Sequence, residues 1–234
     1  YIKKNDTRPD QPILIIKKGV VLEGAMSKSI LGSAHNSLIH VLYKEYGQDV
    51  AMDFINNCQF LCNQFMLHHS FSIGIGDCVS SISKETDKIS YKCFLEAKEI
   101  ERSISHPAVR ELRVCSALEK SREMAQVSAK KLLNPNNSFL ATVTSGSRGE
   151  MFNLSQIISM LGQQMHMTKR IAKTLNRGKR TLPCYPINAD KLTLEQEFES
   201  RGFISHSFAN GLNPQEFIWH SMAGREGLTN TALN

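Results

Sequence analysis

At 234 residues and 41% hydrophobic content, the chain is long enough to bury one large core or two smaller ones, which excludes an intrinsically disordered chain. A formal charge of +6 is mild for that length, so the placement of the charge matters more than its sum. No run of about 18 apolar residues occurs, so no membrane-spanning helix is predicted.

The first element is β. Ile13 to Leu22 is rich in Ile and Val and is broken by Gly19, which predicts two short strands around a turn. From Ser37 the apolar residues recur at helical spacing, through Leu38, Val41, Leu42, Phe54, Ile55, Cys58, Leu61 and Phe65. This predicts two helices hinged near Gly47, the second ending near His69. Ser72 to Asp77 is a glycine-punctuated segment that reads as a compact turn. As a phosphate cradle it lacks both the spacing and the following helix such a loop needs.

Residues 83–133 are highly charged, with apolar residues thinly spread. His106-Pro107 divides them, because the residue before proline disfavours helical dihedrals. The expectation is an exposed helical hairpin with one narrow apolar stripe per helix, ended by the turn chemistry of Asn134-Pro135-Asn136-Asn137. Thr142 to Gly149 is small and glycine-rich, and Asn153 is placed to cap a helix through Leu154, Ile157, Ile158, Leu161 and Gly162. The stretch around Pro183 and Pro186 should be extended. Asn213-Pro214-Gln215-Glu216 combines a cap residue, proline in the first turn and a capping-box glutamate, and predicts a helix start. Gly224 and Gly227 follow in that helix. A helical glycine costs roughly 1 kcal/mol against alanine, so the pair points to close approach of another backbone or a nucleic acid, to bending, or to a helix that stops at Ala223.

Between Met151 and Ala189 there is no acidic residue, while Lys169, Arg170, Lys173, Arg177, Lys179 and Arg180 all fall there. Such a tract predicts contact with nucleic acid, phosphate or an acidic protein neighbour, against the plainer reading of a solvated loop. The cysteines form no C-x-x-C pair, so neither a zinc ribbon nor a redox motif is indicated, and the scattered thiols read as reduced and intracellular. Cys58 and Cys62, with His68 and His69 after them, could be assembled into a metal site, but helical spacing of small core residues explains the pair. The chain starts without Met and stops at Asn234 inside an apparent helix, and both ends read as cuts.

A series of short motifs resembles the largest, catalytic subunit of multisubunit DNA-directed RNA polymerases of the eukaryotic, archaeal and large-DNA-virus type. In order they are Leu31-Gly32, Ser37-Leu38-Ile39-His40, Phe71 to Asp77, Asn137-Ser138-Phe139, Thr144 to Gly149 and Asn153-Leu154-Ser155-Gln156. Gly162-Gln163-Gln164, Lys169-Arg170, Arg180 to Pro183, Ser200 to Phe203, Gly211-Leu212, Pro214 to Phe217 and Gly224 to Leu228 continue it. Each is weak alone; their common order is specific.

The resemblance implies a mainly α fold with small β elements, in three regions. Residues 1–77 would close a pore domain, 78–190 would form a funnel built on the hairpin at 83–133, and 191–234 would open a cleft domain with the first half of a bridge helix. It implies no catalytic residue and no metal ligand in this chain, because the family's metal-binding aspartate motif is absent; Mg2+ would be held elsewhere in the assembled enzyme. By resemblance, His220, Gly224, Arg225, Glu226, Gly227 and Thr231 would support the active centre from the bridge helix. Gln156, Gln163, Gln164, Lys169 and Arg170 would form a funnel-core pocket facing it. A buried Arg225–Glu226 pair that merely holds the helix is the structural alternative.

Implied partners are other fragments of the largest subunit, the second-largest subunit, DNA template, RNA transcript, nucleoside triphosphates and the transcript-cleavage factor, with no membrane. The implied location is intracellular, in nucleus or cytoplasm or in a virus factory. Ala223, Asn230 and Asn234 stand where the family usually has a glycine, an aspartate and a basic residue. These departures fit a divergent, viral lineage and leave amanitin sensitivity and bridge-helix flexing open. The competing classes are a stand-alone basic nucleic-acid-binding helical module and an all-helical scaffold.

Overall fold

The computed structural model describes residues 1–4, 13–79 and 83–234. In chain order the elements are β1 (Ile2–Lys4), β2 (Ile13–Lys17), β3 (Val20–Glu23), α1 (Lys28–Leu31), α2 (Leu38–Tyr46), α3 (Gln48–His69), α4 (Ile75–Cys78), α5 (Ser83–Ser103) and α6 (Pro107–Leu132). They continue with α7 (Ser138–Ser145), α8 (Met151–Ile158), β4 (Gly162–Gln163), β5 (Met165–His166), β6 (Lys169–Arg170), α9 (Leu194–Glu199), β7 (Phe203–Ile204) and α10 (Pro214–Leu233). Helices dominate and the strands are short, as a mainly α chain with small β elements requires. Contacts divide the chain into two units: residues Tyr1–Gly74 with Ser138–Gly149, and residues Ile75–Asn137 with Glu150–Asn234.

In the first unit, β1, β2 and β3 form an antiparallel sheet in that order, so the predicted strand pair gains a third strand from the N-terminus. Lys18 (φ 52°) and Gly19 (φ 77°) are both left-handed, the geometry that matches the twist of a two-residue hairpin. The sheet lays Leu14 against Ile30 and Leu38, with Tyr1, Leu42 and Phe54 packed around them. Ser37 caps α2 by accepting from the His40 N–H, and Gly47 (φ 93°) breaks the chain between α2 and α3 where the sequence places a hinge. The end of the glycine-punctuated segment, from Ile75 on, already belongs to the second unit and coils into the single turn α4. The segment from Thr142 is helical as far as Ser145, as part of α7, with the Thr142 and Thr144 hydroxyls donating back to the carbonyls of Phe139 and Leu140.

In the second unit, α5 and α6 form the predicted hairpin, but it is not a pair of exposed helices. Ile89, Phe94 and Ala97 of α5 and Val114, Ala117, Leu118 and Ala125 of α6 are the centre of a core completed by Met160, Phe198 and Phe203. Phe94 stacks on Phe198 with ring centroids 4.9 Å apart and meets Phe203 edge-on at 4.6 Å. Each such pair adds about 0.5–1.5 kcal/mol beyond area burial. The narrow stripe expected on each helix is present, and it is buried because later segments supply Met160, Phe198 and Phe203 to cover it; a hairpin needs only one inner face to be apolar.

A second cluster, Leu161, Ile171, Ile204 and Trp219, ties α10 to two small antiparallel pairings, β4 with β7 and β5 with β6. Helix α8 departs from its expected bounds. It begins at Met151 with Glu150 in the cap position, leaving Asn153 inside the first turn, and it stops at Ile158. Leu161 and Gly162 lie beyond it because Gly162 (φ 74°) opens β4, a backbone angle the helix cannot hold.

Candidate functional site

The site is built on α10. Glu216 accepts from the Asn213 N–H at 2.9 Å, the capping-box bond expected from the sequence, and its other oxygen lies 2.9 Å from His206 Nδ1. Trp219, 2% exposed, anchors the same turn in the second core. Beyond it α10 runs unbroken to Leu233, so the helix does not stop at Ala223. A Cβ added at Gly224 or Gly227 would meet nothing within 4 Å among the described residues. Among the described residues no neighbour requires either glycine, so of the expected reasons bending and contact with a nucleic acid or another backbone stay open. The Thr229 and Thr231 hydroxyls donate to the carbonyls of Arg225 and Gly227 at 2.9 and 2.8 Å, bonds that compete locally with the helical ladder.

Two contacts fix the register of α10 against the unit's short strands. His220 Nδ1 lies 3.3 Å from Gln164 Oε1 and its ring meets Phe208 edge-on at 5.4 Å. One turn and a half further, Glu226 closes over the β5–β6 turn. Its carboxylate accepts from the Met167 N–H at 3.1 and 3.0 Å and lies 2.9 Å from His166 Nδ1. The Met167 N–H, with His166 beside it, holds the Glu226 carboxyl below the usual range. Met167 (φ 49°) and Thr168 (φ 62°) are both left-handed, which turns that N–H towards the helix. The alternative of a buried Arg225–Glu226 pair is overturned: Glu226 is engaged by His166 and Met167, while Arg225 is exposed and borders a cavity of about 690 Å3 with Phe217, Met222 and Glu226.

The three glutamines bond in different places. Only Gln164 reaches α10. Gln163 is buried with its amide donating to the carbonyls of Gln164 and Arg201, at 2.7 and 3.0 Å. Gln156 serves through its main chain, where its carbonyl accepts from Phe208.

The basic tract is divided by the fold. Arg170, 4% exposed, points inward and bonds Glu111 through Nε at 3.0 Å and Nη2 at 2.8 Å, with Glu101 at 2.9 Å. Arg201 adds bonds to the same Glu111 carboxylate at 3.3 and 3.2 Å. Burial alone would raise the Glu111 carboxyl, but the Arg170 hydrogen bonds and the Arg201 charge outweigh it and bring it down to about 2. Arg180 is spent on the Pro183 and Tyr185 carbonyls. A continuous six-charge surface is thus not what the chain presents; Lys169, Arg177 and Lys179 face solvent and Lys173 is half-buried. The Glu101–Glu111–Arg170–Arg201 network was not legible in the sequence, since its members are far apart and sit in no motif of charge pairing.

No described group of three acidic, histidine or cysteine side chains could hold a metal ion, so the described residues do not fit Mg2+. No described helix is long and apolar enough to cross a membrane.

Residues 2–78 match the family model described as RNA polymerase Rpb1, domain 3, and residues 97–204 match RNA polymerase Rpb1, domain 4. A probable DNA-directed RNA polymerase II subunit RPB1 homolog of Invertebrate iridescent virus 6 is 40% identical over 98% of this chain and 24% of its own length. A putative DNA-directed RNA polymerase of Frog virus 3 (isolate Goorha) is 33% identical over 93% of this chain and 16% of its own. The DNA-directed RNA polymerase II subunit RPB1-A of Trypanosoma brucei brucei is 34% identical over 94% of this chain and 13% of its own. The chain therefore spans a quarter or less of the length of these relatives.

Proposed function

Because the chain belongs to the Rpb1 family of largest RNA polymerase subunits, we propose that it serves DNA-templated RNA synthesis as a positioning segment of the assembled enzyme. The observation that supports this best is α10, an unbroken helix pinned by His220 to Gln164 and by Glu226 to the β5–β6 turn, with an exposed far half. A helix held firmly at its base and free beyond it is suited to lie beside a nucleic-acid duplex and respond to it.

In this reading residues 1–77 close the pore domain, 78–190 build the funnel on the α5–α6 hairpin, and α10 is the first half of the bridge helix. His220, Arg225, Glu226 and Thr231 support the active centre, with Gly224 and Gly227 permitting flexure; Gln164 and Lys169 border them from the funnel core. Gln156, Gln163 and Arg170 hold the surrounding backbone. Mg2+ and the carboxylates that bind it are supplied from outside this chain, together with the second-largest subunit, template, transcript and nucleoside triphosphates. The funnel would admit those nucleotides and a transcript-cleavage factor, and the location would be the nucleus or a viral factory.

Native purification through a tag on this chain, from cells that make it, tests the reading. Recovery of a second-largest-subunit homologue and of Mg2+-dependent elongation on a primed template is expected. Recovery of the intact, folded chain with neither would overturn it.

A further inference from the structure

At the turn end of the α5–α6 hairpin a cavity of about 570 Å3 is lined by Lys98, Arg102, Arg110, Arg170 and Arg201, with Glu101 and Glu111. Its inner charges balance. Lys98 bonds Glu197 at 2.7 Å, Arg170 spans Glu101 and Glu111, and Arg201 completes Glu111, so three cations face three carboxylates. Arg102, in the last turn of α5, and Arg110, in the first turn of α6, are left over. Among the described residues neither has a carboxylate within ion-pair distance.

We propose that Arg102 and Arg110 bind the phosphate groups of a small phosphorylated ligand, inorganic pyrophosphate or a nucleotide, at the mouth of this cavity. Two spare guanidinium groups offer forked donors matched to phosphate oxygens. The α6 N-terminal turn adds its positive end to the same wall. The floor is fixed in advance, since Arg170 is locked by two carboxylates and cannot swing out to neutralise a solvent ion in their place. The volume falls within the range of small-ligand pockets, about 300–1,000 Å3. A nucleic-acid strand fits less well, because it needs cations and stacking surfaces repeated along a groove. The solvent-facing residues of the basic tract, Lys169, Arg177 and Lys179, do not line this cavity. The inference rests on the cavity and not on the polymerase reading, and each stands if the other fails.

Calorimetric titration of the 234-residue chain with pyrophosphate, and separately with UTP, tests it. Saturable binding is expected, weakened at least about tenfold, or about 1.4 kcal/mol, in Arg102→Ala/Arg110→Ala and only partly recovered in Arg102→Lys/Arg110→Lys. Tighter binding of UTP than of pyrophosphate identifies the nucleotide as the ligand, and the reverse identifies the inorganic anion. If the double variant unfolds, Arg102→Gln alone, at an exposed position, carries the same expectation. The proposal is overturned if the parent chain binds neither probe, if the variants bind as tightly as the parent, or if a single-stranded oligonucleotide displaces pyrophosphate through these two arginines.

Discussion

The Arg170 guanidinium lies fork to fork on the Glu111 carboxylate, Nε to Oε1 at 3.0 Å and Nη2 to Oε2 at 2.8 Å, while the Arg170 N–H also donates to Oε1 at 3.2 Å. This one carboxylate therefore fixes strand β6 against helix α6, and through Arg201 it also fixes the chain leading into β7. Removing Glu111 leaves Arg170 with Glu101 as its remaining carboxylate and takes away the carboxylate of Arg201, and breaking a buried pair typically costs about 3–5 kcal/mol. Glu111→Ala is expected to lower the urea unfolding free energy by that order, and a loss below about 1 kcal/mol would contradict the role given to it.

The same carboxylate sets an acid limit. Its folded value near 2 lies below the usual 4.5, so ionised Glu111 stabilises the fold above about pH 4.5, and that contribution, on the order of 3 kcal/mol, drains away as pH falls towards 2. Stability measured from pH 6 to pH 2 should fall across this window. The slope should flatten in Glu111→Gln, which has no proton to take up.

Gly202 stands where three strands of chain converge. With φ +97°, a Cβ there would sit 2.8 Å from Ile171 Cγ1 and 2.9 Å from the Gln164 carbonyl oxygen. Gly202→Ala combines left-handed strain with overpacking, and a loss of about 2–4 kcal/mol is expected. Because Gln164 is the residue that meets His220, NMR of the His220 ring should shift in this variant; an unchanged ring signal and melting curve would show that the packing tolerates the methyl.

Arg225 and Glu226 are neighbours with different duties. Arg225→Ala in the assembled enzyme should slow elongation and leave assembly intact, since the exposed side chain makes no bond among the described residues. Glu226→Gln should instead loosen α10 from the β5–β6 turn, read as faster amide exchange at Met167. Loss of assembly without slowed elongation in Arg225→Ala would assign that residue a structural part.

The isolated chain should extend no primer with Mg2+ present, because the family's metal-binding aspartates are not in its sequence. Turnover in a primer-extension assay by the purified chain would refute this.

Much of the local structure was readable from residue order. Asn213-Pro214-Glu216 set the start of α10, Gly47 the break between α2 and α3, and His106-Pro107 the division of the hairpin, because caps, left-handed angles and the pre-proline restriction act within a few residues. The capping box that opens α9, with Thr193 and Gln196 bonded reciprocally, carries the same kind of local signal. Asn153 misled for a related reason: a residue able to cap is not a cap unless the chain turns there, and it turns at Glu150.

What the tertiary structure alone decided is how like-looking residues divide their work. Lys169 and Arg170 are adjacent in one basic tract, yet a strand's alternation sends the second inward to Glu111 and leaves the first in solvent. Adjacent Arg225 and Glu226 separate in the same way on a helix, where only Glu226 meets the β5–β6 turn. The sequence determined the family, the order of the elements and the helix that supports the polymerase reading. Which charges that fold consumes and which it leaves for a ligand depended on partners 59 and 90 residues away, and local spacing carries no record of such distances.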